Sequence, residues 1–435
     1  MTVSTNNSLH QQIDDRNTKV GVIGLGYVGL PLAIALTEAG FQVAGFDIDE
    51  SRVARLQKGS SYVDDVSDAE IENAIQQGFN PGSTPRTIAG CRAYILAVPT
   101  GLEGDEPDMS AVESAAKIVA EYSGKEEILV VVSSTVYPGA TREVVIPTVM
   151  GERETTTHFA MVPERINPGG EYSIEEIPLV VGANTDSARE AAQLLFDPIV
   201  LETYPVRSTT TAELAKTLEN TYRMVNIALV NELITLSEGI DGQVWDAINA
   251  AATKPFGFQA FRPGPGVGGH CIPVDPQFLT WRAKQIGAEV SFIEDAHQIN
   301  EQMPSFVLNR FELLLQARGI NLADASLVAL GAAYKPNVGD LRNSPALRVI
   351  NQFPDTAEVT IVEPHTAEAS TGHTWVQSEK EAGIKDADAT ILLVDHDDFD
   401  LNFIGNASDF IFDSRNVMPD EINADVVTLG EFNID

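Results

Sequence analysis

The chain has 435 residues, enough for roughly three domains, and 43% of them are hydrophobic, as in ordinary globular cores. Its 28 lysines and arginines face 63 acidic residues, giving a net charge of −35 spread along the whole length. That balance disfavours nucleic acid, no apolar run reaches the ~20 residues of a membrane span, and two cysteines exclude a disulfide framework and fit a reducing cytoplasm.

Distributed charge of this size self-repels in dilute buffer and is screened where the Debye length falls to about 3 Å, near molar salt. A halophilic host is therefore expected. Residues 1–17 are polar and read as a loose tail.

The first element is a short apolar strand, Lys19–Ile23, followed by Gly24-Leu25-Gly26-Tyr27-Val28-Gly29. Pro31 to Ala39 reads as a helix, with Pro31 in its first turn and Gly40 as its stop. Phe41 to Phe46 is a second strand ending at Asp47. Strand, glycine turn, helix, strand and an acid some 20 residues on is the dinucleotide fingerprint. The glycines admit a pyrophosphate at a helix N-terminus. Asp47 suits a free ribose diol and opposes a 2′-phosphate, so NAD is expected over NADP; Arg52 lies along the adenosine.

Strands at Ala93–Val98 and Ile128–Val132 each end in hydroxyl-bearing loops. Thr100 and Thr135 are thereby candidates for the nicotinamide side, or for ordinary turn chemistry. Cys91 precedes a strand and reads as structural. From Thr209 to about Glu238 the pattern becomes one helix of ~45 Å, long enough to connect two lobes. Leu214, Leu218, Val225, Leu229 and Leu236 form an apolar stripe, and Lys216, Asn220 and Arg223 share the opposite face. Met224 to Leu236 is apolar nearly all round, which implies burial in a core or a subunit interface.

Residues 266–275 read Gly-Val-Gly-Gly-His-Cys-Ile-Pro-Val-Asp. Glycines let backbone approach a ligand, and a thiolate is a strong nucleophile. Beside a hydride-accepting cofactor, Cys271 suggests aldehyde oxidation through a thioester; the plainer alternative is a small buried hydrophobe in a turn. A second strand–glycine–helix–strand pattern starts at Ser326–Leu330 and Gly331, with further strands at Glu358–Glu363, Ala389–Val394 and Phe410–Asp413. Its loop carries Tyr334, Lys335 and Arg342, which suit a phosphate or nucleotide, or pair with the protein's own carboxylates. The expected architecture is α/β: two Rossmann-like doubly wound lobes joined by a central helical region with one long helix. The expected divisions are a tail at 1–17, an NAD lobe at 18–206, a central region at 207–321 and a nucleotide-sugar lobe at 322–435.

Taken in order, the segments GLGYVGLP (24–31), ELAKTLENTYRMVNIALVNEL (213–233), GPGVGGHCIPVD (264–275) and YKPNVGDLRNSP (334–345) resemble the UDP-glucose/GDP-mannose dehydrogenase family. The resemblance spans residues 19–435. It implies oxidation of a sugar-nucleotide C6 alcohol to a carboxylate, two NAD per turnover, a UDP-sugar substrate, a helical dimerisation region giving a homodimer or higher oligomer, and no metal. By motif position, Cys271 resembles the nucleophile. Lys216 and Asn220 resemble the pair that binds the reacting oxygen, and Asp275 the carboxylate that helps activate water. Glu164, in Pro163-Glu164-Arg165-Ile166-Asn167-Pro168-Gly169, resembles an acid–base glutamate. Thr100 and Thr135 fall at cofactor positions. Arg165, Ile166, Arg223, Gly264, Tyr334, Lys335, Arg342 and Arg415 fall at or near substrate positions, with Lys216 and Asn220.

Glucose-specific members have Gly-Gly-Ser-Cys-Phe-Pro-Lys-Asp at the cysteine loop. Here His270 replaces the serine and Val274 the lysine. This form is similar to members acting on UDP-N-acetylmannosamine or UDP-N-acetylglucosamine, without separating the two epimers. The Pro168–Gly169 stretch lacks a second glutamate that some glucose enzymes have. The alternatives are a UDP-glucose 6-dehydrogenase, a catalytically silent sugar-nucleotide sensor, and a two-electron β-hydroxyacid dehydrogenase.

Overall fold

The computed structural model describes residues 8–63, 66–166, 172–240, 243–366 and 372–431. The chain divides into two compact units. One is Met1–Glu219 with Trp281–Ala288, the other Asn220–Thr280 with Glu289–Asp435. The central region expected at 207–321 is shared out between them.

The first unit is built on an eight-stranded sheet. In spatial order its strands are Thr203–Val206, Leu179–Ala183, Thr157–Met161, Ile128–Val132, Ala93–Leu96, Lys19–Ile23, Gln42–Phe46 and Asn80–Gly82. All neighbours are parallel except Thr157–Met161 against Leu179–Ala183. Ile128–Val132, five β-branched or leucine residues, is buried on both faces, as a central parallel strand covered by helices must be. Strand order reverses at Lys19–Ile23, which places a ligand crevice at the turn that follows it.

The second unit repeats the plan with six parallel strands in the order Thr374–Val376, Glu358–Val362, Ser326–Leu330, Ala389–Leu392, Phe410–Asp413 and Asp425–Thr428. Helix Ser291–Ala317 packs on it through Val307, Phe311 and Leu315, all fully buried. Phe311 stacks on Phe412 with ring centres 5.9 Å apart. The two lobes share local detail. Gly24 N–H donates to the Phe46 carbonyl at 2.8 Å, and Gly331 N–H donates to the Val362 carbonyl at 2.9 Å.

Two expectations are corrected. Residues 8–17 are not a loose tail. Ser8 caps a helix at Leu9–Asp14, whose Leu9 and Ile13 lie one turn apart and are completely buried in the first core. Their apolar contact outweighs the polar composition around them. The long helix, Thr209–Leu236, has its burial inverted in part, Val225 being half-buried and Arg223 exposed as the pattern implies. Leu214, Leu218, Leu229 and Leu236 are exposed, whereas Lys216 and Asn220 are buried. Beyond residue 223 both characters coexist: Met224, Ala228 and Ile234 are buried, while Leu229 and Leu233 face outward. Helical period located the stripe but not which side the protein covers.

Candidate active site

In the first unit the glycine turn leaves strand Lys19–Ile23 and opens helix Gly29–Glu38. Gly24 has φ +90°, and a Cβ there would stand 2.4 Å from the Ala97 carbonyl oxygen. A Cβ on Gly29 would stand 1.9 Å from the Gly24 oxygen. Both glycines are demanded by internal packing. Gly26 is different: a Cβ there meets nothing within 4 Å. Its bare backbone faces open space, as close approach by a pyrophosphate requires. Tyr27 is exposed beside it, and Val28 is the residue preceding the helix.

Asp47 is buried at the end of Gln42–Phe46. Its Oδ2 accepts from Leu25 N–H at 2.8 Å and its Oδ1 from Asp49 N–H at 2.9 Å. Each oxygen keeps a lone pair for a ribose hydroxyl. Arg52 reaches to 3.9 Å of Asp47 and 3.4 Å of Asp49, and lies over the Tyr62 ring. Gly26, Tyr27, Ser51, Arg52 and Tyr62 line a cleft here. Thr100 donates its hydroxyl to the Thr135 carbonyl at 2.6 Å, joining the two strand-end loops.

Also in the first unit, the Glu164 carboxylate accepts from Ile166 N–H. Burial raises the Glu164 pKa, and the Lys216 ammonium opposes that rise. A carboxyl held above the usual range with a lysine nearby is poised to exchange a proton. Arg165 is engaged by Glu219 at 2.7 Å and by the Pro178 carbonyl at 2.6 Å. The Asn167–Gly169 end of this motif lies outside the described residues. Glu213, fully buried on the long helix three residues before Lys216, accepts from Gly139 N–H at 2.5 Å and Thr141 N–H at 2.8 Å. It fixes the start of the helix to the first sheet's loops.

In the second unit, Cys271 is exposed and heads the turn into helix Asp275–Gln285. Its carbonyl accepts from Asp275 N–H at 2.8 Å, which ties the residue to the first turn of that helix. Asp275 is buried, and its Oδ2 accepts from the Asn220 side chain at 2.5 Å. The glycines before the cysteine are held against the loop that follows Gly331. A Cβ on Gly268 would lie 2.6 Å from Pro345 and one on Gly269 would lie 2.8 Å from the Tyr334 ring. Gly269, at φ +83°, donates its N–H to the Arg342 carbonyl at 3.0 Å and accepts from Asn343 at 3.0 Å. Tyr334 has its pKa pushed up to about 12, by burial first and then by the Asp340 and Cys271 charges. Burial, then the Arg342 charge, lowers the His270 pKa and favours a neutral ring beside the thiol.

The candidate substrate cations already have partners. Arg342 is bidentate to Asp340 at 2.6 and 3.0 Å. Arg415 donates to Asp395 at 2.8 Å, and lies so close to Gly264 that a Cβ there would stand 2.2 Å from its guanidinium. Lys335 lies 5.7 Å from the Tyr334 ring centre, and Arg223 is exposed within electrostatic range of Tyr334. Cys91 is buried and its thiol is pushed up to about 11, as befits a structural residue.

Family models match three successive stretches. They are the NAD binding domain of the UDP-glucose/GDP-mannose dehydrogenase family over 18–200, its central domain over 210–302 and its UDP binding domain over 328–420. The chain belongs to this family. It is an NAD-dependent nucleotide-sugar dehydrogenase, an oxidoreductase with a UDP-sugar as substrate. The UDP-N-acetyl-D-mannosamine dehydrogenase of Pyrococcus horikoshii is 32% identical over 92% of this chain and 96% of that protein. The UDP-N-acetyl-D-glucosamine 6-dehydrogenase of Pseudomonas aeruginosa is 33% identical over 93% and 98%. The solved structure of the Pyrococcus horikoshii UDP-D-ManNAc dehydrogenase superposes with a TM-score of 0.84, at 30% identity, covering 95% of this chain and 99% of that one. Among the described residues no helix is long and apolar enough to cross a membrane, and no cluster of His, Cys, Asp and Glu is arranged to hold a metal.

Several buried polar residues of the dehydrogenase escaped the sequence reading. Asn231 donates to Asn300 at 2.9 Å and accepts from Gly264 N–H at 3.0 Å, anchoring the start of the cysteine loop. A polar residue amid the apolar half of the long helix was the available signal. The cofactor site gives the first test. Asp47→Ala should weaken NAD binding by about tenfold, the effect of removing hydrogen bonds to one ribose, and should narrow the preference over NADP. Titration calorimetry with both cofactors checks this; equal affinities for NAD and NADP in the unaltered protein would contradict it.

Proposed function

We propose that this dehydrogenase oxidises C6 of a UDP-N-acetylhexosamine, the mannosamine or the glucosamine epimer, to the uronic acid through a thioester on Cys271. The observation that carries this reading is the exposed Cys271 at a helix N-terminus, on a glycine loop with His270 and Val274 in place of serine and lysine. The names of the relatives at 32% and 33% identity support the substrate class.

Bound NAD supplies the hydride acceptor for each oxidation. Lys216 and Asn220, one turn apart on the long helix, donate to the reacting oxygen as charge develops on it. The first oxidation turns the C6 alcohol into an aldehyde. The Cys271 thiolate then adds to the aldehyde carbon, forming a C–S bond and a thiohemiacetal. The second oxidation makes the thioester, and water displaces the thiolate to give the carboxylate. Covalent attachment keeps the aldehyde in place between oxidations. Asp275, oriented by Asn220, helps activate that water, and Glu164 takes up protons, a role its raised pKa suits.

Gly24, Gly26, Tyr27, Val28, Gly29, Asp47, Arg52, Thr100 and Thr135 hold the cofactor in this reading. Arg165, Ile166, Arg223, Gly264, Tyr334, Lys335, Arg342 and Arg415 serve the nucleotide sugar, with functional divisions at 18–206, 207–321 and 322–435. The paired arginines exchange their carboxylates for phosphate when substrate binds.

Substrate choice and stoichiometry are tested together, in molar salt because of the net charge of −35. An unpaired buried acetamide costs about 1–3 kcal/mol, so a pocket built for it should favour a UDP-N-acetylhexosamine over UDP-glucose by about tenfold or more in kcat/KM. Two NADH should form per sugar consumed. UDP-glucose as the best substrate would overturn the substrate class. One NADH per sugar would overturn the four-electron reaction, and no turnover with any UDP-sugar would mark a silent sensor.

We also propose that the chain is a homodimer or a higher homo-oligomer. Leu214, Leu218, Leu229 and Leu236 are exposed on one helix, an apolar face that is costly to leave in water. Light scattering in molar salt should give at least twice the chain mass, and Leu229→Asp should shift the population toward monomer. A monomeric unaltered protein would contradict it.

A further inference from the structure

The second lobe contains a buried carboxylate and imidazole that the reaction scheme does not use. Glu363 ends strand Glu358–Val362, as Asp47 ends its own strand, and is completely buried. Asp47 accepts from two backbone N–H groups and faces Arg52 at 3.9 Å, whereas Glu363 is enclosed. Its Oε2 accepts from Ala332 N–H at 2.8 Å, Ala333 N–H at 2.9 Å and the His396 ring at 3.2 Å. Its Oε1 accepts from His365 N–H at 3.2 Å.

His396 is itself buried, between the rings of His365 and Phe399. Its Nδ1 lies 3.0 Å from the Asn337 backbone N–H. A backbone N–H only donates, so Nδ1 carries the lone pair and Nε2 carries the proton given to Glu363. The neutral ring is satisfied at both nitrogens. Asn337 adopts the left-handed conformation, φ 61°, and exchanges two further bonds with Asp397, at 2.8 and 2.9 Å.

These contacts fix one loop at two points. Glu363 holds its stem at Ala332 and Ala333, and His396 holds it at Asn337. The same loop carries Tyr334, Lys335 and Arg342, and its far end bonds Gly269, two residues before Cys271. We propose that His396 is a positioning residue for the nucleotide-sugar loop and, through Gly269, for Cys271, acting through the hydrogen bond that its Nδ1 accepts from the Asn337 N–H. This rests on the reading that the loop binds the sugar nucleotide and that Cys271 reacts.

Two near-isosteres separate the ring's two contacts. In His396→Asn the shorter amide reaches the Nδ1 position and still accepts from Asn337. In His396→Gln the longer amide reaches the Nε2 position, donates to Glu363 and drops Asn337. Glu363 keeps its three backbone donors in both. His396→Gln should raise the KM for the UDP-sugar about tenfold, the effect of one buried hydrogen bond, and leave the KM for NAD within about twofold. UDP should then protect Cys271 poorly from iodoacetamide, and His396→Asn should restore both readouts to within about threefold of the unaltered enzyme. An unaltered UDP-sugar KM in His396→Gln, or equal impairment of both variants, would overturn the proposal. If His396→Gln fails to fold, seen as lost NAD binding, His396→Leu fills the space and accepts nothing from the Asn337 N–H, so it removes the same tie. A raised sugar-nucleotide KM there supports the proposal and an unchanged one overturns it. Failure of the unaltered enzyme to turn over any UDP-sugar would instead sink the functional reading.

Discussion

The clamp between two loops of the second unit is the constraint on which the position of Cys271 depends. Gly268 and Gly269 lie flat against Tyr334 and Pro345, where a single Cβ would come within 2.8 Å of the facing atoms. The backbone of Gly269 is bonded from both sides, to the Arg342 carbonyl and by the Asn343 amide. Such a seam uses two glycines to bring the cysteine loop next to a loop of basic residues without side-chain bulk between them. The turn at Cys271 then leads into the helix at Asp275–Gln285.

Much of this was legible in the sequence, for physical reasons. The fingerprint at Gly24–Gly29 with Asp47 is a local pattern whose geometry is almost obligatory, and Gly24 and Gly29 are indeed required, since a Cβ on either would stand 2.4 or 1.9 Å from a backbone oxygen. The valine-rich run at 128–132 has no polar face and so had to be a central strand. Less was legible where burial depends on distant partners. The leucine stripe of the long helix was found by its period, but its exposure and the burial of Lys216 and Asn220 follow from which face the fold covers. Leu9 and Ile13 hid in a polar segment because two residues one turn apart suffice to dock a short helix. The buried partners Glu363 and His396 sit in unremarkable sequence. Only the position of Glu363, at the end of the second strand of its lobe, hinted at a counterpart of Asp47.

Charge acts on two scales. The net −35 is a property of the surface and governs salt response. Within each unit the balance is local: Arg165 in the first and Arg342 and Arg415 in the second each have a carboxylate neighbour, Glu219, Asp340 and Asp395. Those pairs keep the guanidinium planes oriented in a strongly acidic protein. The raised pKa of Glu164 is the opposite case, a carboxyl that burial makes easier to protonate although the Lys216 charge acts against it.

The central claim is that carbon passes through a covalent bond to Cys271. The most direct measurement is peptide mass analysis of Glu164→Gln, acid-quenched during turnover with NAD and a UDP-N-acetylhexosamine. With proton uptake at Glu164 removed, hydrolysis should lag behind acylation. The peptide containing Cys271 should then carry the acyl mass of the oxidised sugar nucleotide, and Cys271→Ser should abolish the adduct. Acid product formed at an undiminished rate with Cys271 unmodified throughout would contradict the account.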